Sequence, residues 1–225
     1  MELDKTVLVV GGDTLTERMF EKNGWTIVTV SDEGVYPAVD LVCFTGGSDV
    51  SPTLYNEETL DCTHYDLRRD LFEVFVYNQY LDTMKVGICR GGQFLNVMNG
   101  GRMYQDVDGH ATGKHHLMRT DDERIIEVTS THHQMMIDHC EGELIGWAYE
   151  ATLKRTFSIS HTYCENSRTP DAEIVYYPGS LCFQPHPEYD EPGNEECTEY
   201  FFELIDEHLE LEGICADFSE PTVMI

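Results

Sequence analysis

The segment KVGICRGGQFLNVM at positions 85–98 constrains this chain more tightly than any other. Apolar Val86–Ile88 reads as the end of a strand, and Gly92–Met98 reads as a helix that starts almost at once. Between them sits Cys89, with Gly87 two residues before it and Gly91 two residues after. A strand that reverses into a helix around a single residue brings the two elements into contact, so the positions flanking the turn must be small. Such a turn aims the thiol out of the carboxyl edge of a sheet, where open α/β sheets bind ligands. It also sets the sulfur at a helix N-terminus, which favours a thiolate. The pentapeptide alone is equally compatible with a buried cysteine beside a glycine turn, and a base elsewhere has to decide.

The rest of the chain agrees with a sheet of that kind. Apolar runs at Thr6–Val10, Thr26–Val30, Leu41–Phe44 and Val86–Cys89 alternate with helical stretches at Thr14–Lys22, Asp66–Leu81 and Gly92–Met98. Strands without polar alternation are buried on both faces, so the pattern predicts a doubly wound, mostly parallel α/β sheet. Within 66–81, Leu67, Leu71, Val74, Phe75 and Asn78 fall close to one helix face, the expected core side. Beyond Arg124 the strand-like runs Ile125–Ser130, Leu144–Tyr149, Ser158–Tyr163, Ile174–Tyr177 and Leu181–Gln184 follow one another with fewer helices. They predict antiparallel strands added at one edge. Glu195–Glu210 closes the pattern as an amphipathic acidic helix. With no repeat and no linker in view, the reading is a single domain over 1–225, with an acidic helix and tail from about 194.

A candidate base follows in LCFQPHPEY, 181–189, where a strand delivers His186 and Glu188 lies two residues beyond. An imidazole between a thiol and a carboxylate can take the thiol proton while the carboxylate orients the ring. Taken alone, this stretch is an ordinary solvated His-Pro-Glu turn; taken with Cys89, the catalytic reading is favoured. Thr45-Gly46-Gly47, after the third strand, lets backbone N–H groups approach a substrate oxygen. With the N–H of Arg90 they would make an oxyanion hole.

Together these pieces resemble the class I glutamine amidotransferase superfamily, and within it the gamma-glutamyl-GABA hydrolase-like branch. The resemblance rests on FTGGSDVSP (44–52), Arg69-Asp70 with Glu73, GICRGGQ (87–93) with LNV (95–97), GGRMYQD (100–106), THHQ (131–134) and QPHPE (184–188). It implies a flavodoxin-like fold and a cysteine amidase that forms a γ-glutamyl thioester. Cys89, His186 and Glu188 would be the catalytic residues, and Gly47 and Arg90 would donate to the oxyanion. Gly46, Gln93, His132, His133 and Gln134 would line the substrate. The implied substrate is a small γ-glutamyl compound, hydrolysed by the enzyme alone or by a glutaminase subunit that feeds ammonia to a separate synthetase. A non-catalytic glutamyl-binding module and a cysteine peptidase on the same fold are weaker alternatives.

Composition narrows the partners. Forty-two acids against 14 bases leave a formal charge of −28, and no Lys or Arg follows Arg168. Such a surface repels nucleic acid and anionic membranes. A basic synthetase or a second copy of the chain stays compatible. The eight cysteines are scattered without a C-x-x-C pair, and the amino end lacks a leader-like pattern. Both point to a reduced, cytoplasmic protein with mostly core thiols. No G-x-G-x-x-G follows the first strand, so no cofactor is expected. His110, His115 and His116, with His132 and His133, raise the question of a metal. Their setting, rich in Gly, Asp and Thr, reads instead as a solvated flexible loop without metal-ligand spacing.

Overall fold

The computed structural model describes residues 5–31, 34–149, 156–157, 163–164 and 170–219. In chain order, the amino-terminal half runs β1 (Thr6–Val10), α1 (Thr14–Lys22), β2 (Thr26–Val28), β3 (Leu41–Phe44), a 3-10 turn (Pro52–Tyr55), α2 (Leu67–Gln79), β4 (Met84–Ile88) and α3 (Arg90–Met98). Five short or antiparallel strands follow: β5 (Arg102–Tyr104), β6 (Asp106–Val107), β7 (Gly113–Arg119), β8 (Ile125–Ser130) and β9 (Met135–Ile137). The chain continues through β10 (Glu143–Tyr149), β11 (Thr156–Phe157), β12 (Tyr163–Cys164), β13 (Ala172–Tyr177), β14 (Ser180–Phe183) and α4 (Glu195–Ser219).

Nine strands form one sheet in the order β2-β1-β3-β4-β14-β13-β10-β7-β8. The first five are mutually parallel. From β13 onward every pairing is antiparallel. The mostly parallel α/β sheet with an antiparallel edge is therefore the observed architecture. Alternate strand residues feed two cores. Val7, Leu41, Val86, Ile88 and Phe183 meet Phe20 of α1 and Phe201, Leu204 and Ile205 of α4. Leu8, Val42, Phe44 and Cys182 meet Val76 of α2 and Phe94 and Leu95 of α3. Covering both faces explains the continuously apolar strands.

Three expectations change. The apolar stripe assigned to the core side of α2 faces outward: Leu67, Leu71 and Phe75 are exposed, whereas Asp70, Glu73 and Val76 are buried. The segment read as a flexible loop contains β7, whose His115–Leu117 pair with Ile126–Val128 of β8. The second strand ends at Val28 rather than Val30. The strand expected over Ser158–Tyr163 falls almost wholly outside the described residues. No helix among the described residues is long and apolar enough to cross a membrane.

Candidate active site

β4 delivers Cys89 to the middle of the sheet, with β3 on one side and β14 on the other. Its backbone stands at φ 51°, ψ −111°, a conformation that costs a non-glycine residue about 1–3 kcal/mol. Two glycines make the turn sterically feasible. A Cβ on Gly87 would come within 2.2 Å of the Gly91 carbonyl, and one on Gly91 within 2.0 Å of the Phe44 oxygen. The turn is tied down by Cys89 N–H donating to the Phe183 oxygen at 2.8 Å and by Gln93 N–H donating to the Cys89 oxygen at 3.0 Å.

β14 ends three residues before His186, whose Nδ1 lies 2.6 Å from Oε1 of Glu188. The Cys89 thiol lies close enough to act on the same ring. The three side chains named in the sequence reading thus converge across nearly one hundred residues. His186 is held from several sides. Its N–H donates to Thr129 Oγ1 at 2.6 Å, and its carbonyl accepts from Asn194 Nδ2 at 3.0 Å. The Tyr189 ring stacks on the imidazole at 4.4 Å, with 7° between planes. Tyr189 was missed in the sequence, although its position directly after HPE was available.

Burial alone would lower the basicity of His186, but the Cys89 and Glu188 side chains outweigh it and push the imidazole up to about 10. A folded pKa above the unfolded value stabilises the fold fully below pH 6.5 or so, and that contribution disappears as pH rises through about 10. Urea unfolding curves should therefore show stability falling between pH 7 and pH 10. Glu188→Gln should flatten that fall, and an unchanged slope would contradict the coupling.

The Thr45–Gly47 loop lies against this pair. A Cβ on Gly46 would stand 3.0 Å from Cε1 of His186 and 3.7 Å from Cβ of Cys89. Arg69 anchors the loop by donating from Nη2 to the Thr45 oxygen at 2.9 Å, and its Nη1 occupies the space that a side chain on Gly47 would need. Glu73 accepts from Arg69 Nε at 2.8 Å and also pairs with the buried guanidinium of Arg90, which Asp70 pairs with as well. The Arg90 side chain therefore points into the protein, away from solvent. Burial, with the nearby charge of Arg69, pulls it down to about 10 despite the pairing with Asp70. This Arg69–Glu73–Arg90–Asp70 chain joins the loop to the elbow. Its sequence signal, R-D-x-x-E on one helix, was visible, but its role was not.

The remaining site residues sit deeper than expected. Gln93 is buried and donates from Nε2 to Gln184 Oε1 at 3.0 Å and to the Gln134 carbonyl at 3.3 Å. Gln134 is buried too, with Nε2 3.3 Å from the Gln105 carbonyl. His132 packs with His110 and His115 rather than toward solvent. His133 is the one of the four that reaches the surface, between Asp49 and Asp106 at 3.1 and 3.3 Å. A depression of about 530 Å³ is lined by Leu15, Arg18, Lys22, Glu188 and Tyr189, and Cys89 is not among its lining residues.

Comparison with known proteins bears on the family and the fold. The chain is 36% identical over 126 residues to the glutamine amidotransferase-like protein YvdE of Lactococcus lactis subsp. lactis, covering 51% of each chain. It is 40% identical over 72 residues to protein NtpR of Enterococcus hirae, covering 31% of this chain and 30% of that protein. The matches thus span about half the length or less of these relatives. Among solved structures, a GMP synthase subunit of Thermoplasma acidophilum superposes with TM-score 0.60 at 17% identity, covering 97% of both chains. A glutamine amidotransferase of Thermotoga maritima superposes with TM-score 0.57 at 15% identity, covering 95% of this chain and 87% of that one. Both share the fold. The Peptidase C26 family model matches residues 31–167, the stretch that carries the Cys89 turn and the Thr45–Gly47 loop, and the chain belongs to that family of class I glutamine amidotransferase-like proteins.

Proposed function

We propose that the protein is a cysteine amidase that hydrolyses the γ-amide of glutamine or of a γ-glutamyl-amine. The observation that carries this reading is the imidazole of His186, hydrogen-bonded to the Glu188 carboxylate on one side and lying beside the Cys89 thiol on the other. In the first half-reaction, Cys89 Sγ attacks the γ-carbonyl carbon with its proton held by His186. The oxyanion that forms accepts hydrogen bonds from the backbone N–H groups of Gly47 and Arg90. The C–N bond then breaks, and His186 returns the proton to the departing ammonia or amine. In the second half-reaction His186 takes a proton from water, which attacks the thioester carbonyl, and glutamate leaves as the thiol is restored. Glu188 keeps the imidazole in the tautomer that this exchange needs. Gly46 and His133 border the reacting carbonyl, while Gln93, His132 and Gln134 act from below by holding those segments in place.

A second reading is favoured by the fold likeness to PurLQS of Thermotoga maritima, with TM-score 0.53, and to the GMP synthase protein of Thermoplasma acidophilum. In it the same chemistry releases ammonia for a synthetase partner. Glutamate release from glutamine and from γ-glutamyl-GABA, measured with purified protein, tests both. Turnover of one or both substrates by the protein alone is expected. Turnover only with an added synthetase would move the assignment to the second reading. A glutamine-mimicking electrophile, diazo-oxo-norleucine, should label Cys89 selectively, and equal labelling of the exposed Cys140 would sink both.

A further inference from the structure

Away from the candidate active site, three histidines and a glutamate from four separate segments meet inside the antiparallel half of the sheet. His110 precedes β7, His115 lies on it, His132 follows β8, and Glu173 lies on β13. One donor atom from each lies within 4.8 Å of all the others. Glu173 Oε1 is 3.2 Å from His110 Nδ1, 3.5 Å from His115 Nε2 and 3.2 Å from His132 Nε2. All four side chains are at least nine-tenths buried.

These approaches are close, yet none is a hydrogen bond. His110 Nδ1, both His115 ring nitrogens, His132 Nε2 and both Glu173 oxygens have no hydrogen-bonding partner. The other ring nitrogens explain why. His132 Nδ1 lies 2.8 Å from the carbonyl of Gln134, which can only accept, so Nδ1 carries a proton. His110 Nε2 lies 3.1 Å from Asp171 Oδ2 and is likewise the donor there. In neutral rings, Nδ1 of His110 and Nε2 of His132 then present lone pairs to a carboxylate oxygen. Electron-rich atoms meeting in a dry interior call for a cation between them, either a proton on a ring nitrogen or a metal ion. A carboxylate or carbonyl behind the imidazole is also the arrangement that orients metal-bound histidines.

We propose that His110, His115, His132 and Glu173 form a closed, structural zinc site. Three imidazoles and one carboxylate suit zinc, and four protein ligands leave no position open for substrate. Ligands of a tetrahedral zinc with bonds of about 2.0 Å stand about 3.3 Å apart, close to the three distances from Glu173 Oε1. The widest separation would contract by about 1.5 Å on coordination. The ion would staple the start of β7 and the end of β8 to β13. Those segments also brace the candidate active site. The Gln134 carbonyl, bonded to His132, accepts from Gln93, and the Glu173 carbonyl accepts from the N–H of Gln184.

Elemental analysis of protein purified without affinity-metal steps and then supplied with zinc should give one zinc per chain that survives desalting. Cobalt substitution should give the visible absorption of a tetrahedral site. Removing zinc with a chelator should lower Tm by at least about 5 °C, and added zinc should restore it. His115→Ala, the least buried of the four, should lose the metal while keeping its far-UV circular dichroism. If that variant fails to fold, the zinc content and Tm shift of the parent protein still decide. Less than about 0.2 zinc per chain with no Tm response to zinc would overturn the proposal, as would one equivalent of a different ion retained in preference to zinc.

Discussion

Replacing Cys89 with alanine is expected to lower kcat for glutamate release by about 10,000-fold or more, because no other group can form the thioester. His186→Ala should do nearly as much, and the two losses should not add, since both residues serve one proton transfer. Cys89→Gly carries a further expectation. Its backbone at φ 51° and ψ −111° is strained for cysteine and open to glycine, so the substitution relieves strain while deleting a small buried side chain. Chemical denaturation should find Cys89→Gly no less stable than the parent, within about 1 kcal/mol, although inactive. A marked loss of stability would mean that the turn is not strained. Retained activity in Cys89→Ala would remove the nucleophile from the proposal altogether.

Disrupting the buried pairs around Arg90 is expected to have the largest effect on stability. Arg90, Asp70 and Glu73 are almost wholly excluded from solvent, and Glu73 also holds Arg69. Removing one acid strands part of a buried positive charge, which costs about 3–5 kcal/mol. Glu73→Ala should therefore shift the urea midpoint strongly. Breaking the exposed pair of Lys22 and Asp190, by contrast, should leave the midpoint almost where it was. Glu73→Ala also releases Arg69 from one side, so the Thr45–Gly47 loop should loosen and any remaining activity should fall through kcat. If Glu73→Ala and Lys22→Ala change stability alike, the buried chain does not carry the load assigned to it.

The sequence was most legible where short-range rules act. Residues 85–98 specify their own strand, turn and helix, because two glycines and a cysteine leave one workable backbone path. The α1 helix matches its predicted span at Thr14–Lys22, with Asp13 capping it through Thr16 N–H at 3.0 Å. The α2 helix was legible in extent but not in rotation. Counting apolar positions placed Leu67, Leu71 and Phe75 inward, whereas the helix turns Asp70 and Glu73 inward to meet Arg90. A buried guanidinium outweighs several leucine contacts, because leaving it unpaired costs more than exposing them. Periodicity records hydrophobic residues and is blind to such a partner.

The histidines show the same limit from the other side. Read along the chain, His110 and His115 sit among glycine, aspartate and threonine and suggest a solvated turn. In the structure β10 pairs with β7 on one side and β13 on the other, which brings Glu173 to His115, and the segment after β8 adds His132. Sequence alone determined the α/β class, the strand-turn-helix at Cys89, and the pairing of His186 with Glu188, since each is written within a few consecutive residues. Tertiary structure decided which polar groups lose water together: Arg90 with Asp70 and Glu73, and His110, His115 and His132 with Glu173. Those sets depend on helix rotation and strand register, which place distant residues side by side, and burial then makes each unpaired charge or lone pair costly enough to demand a partner.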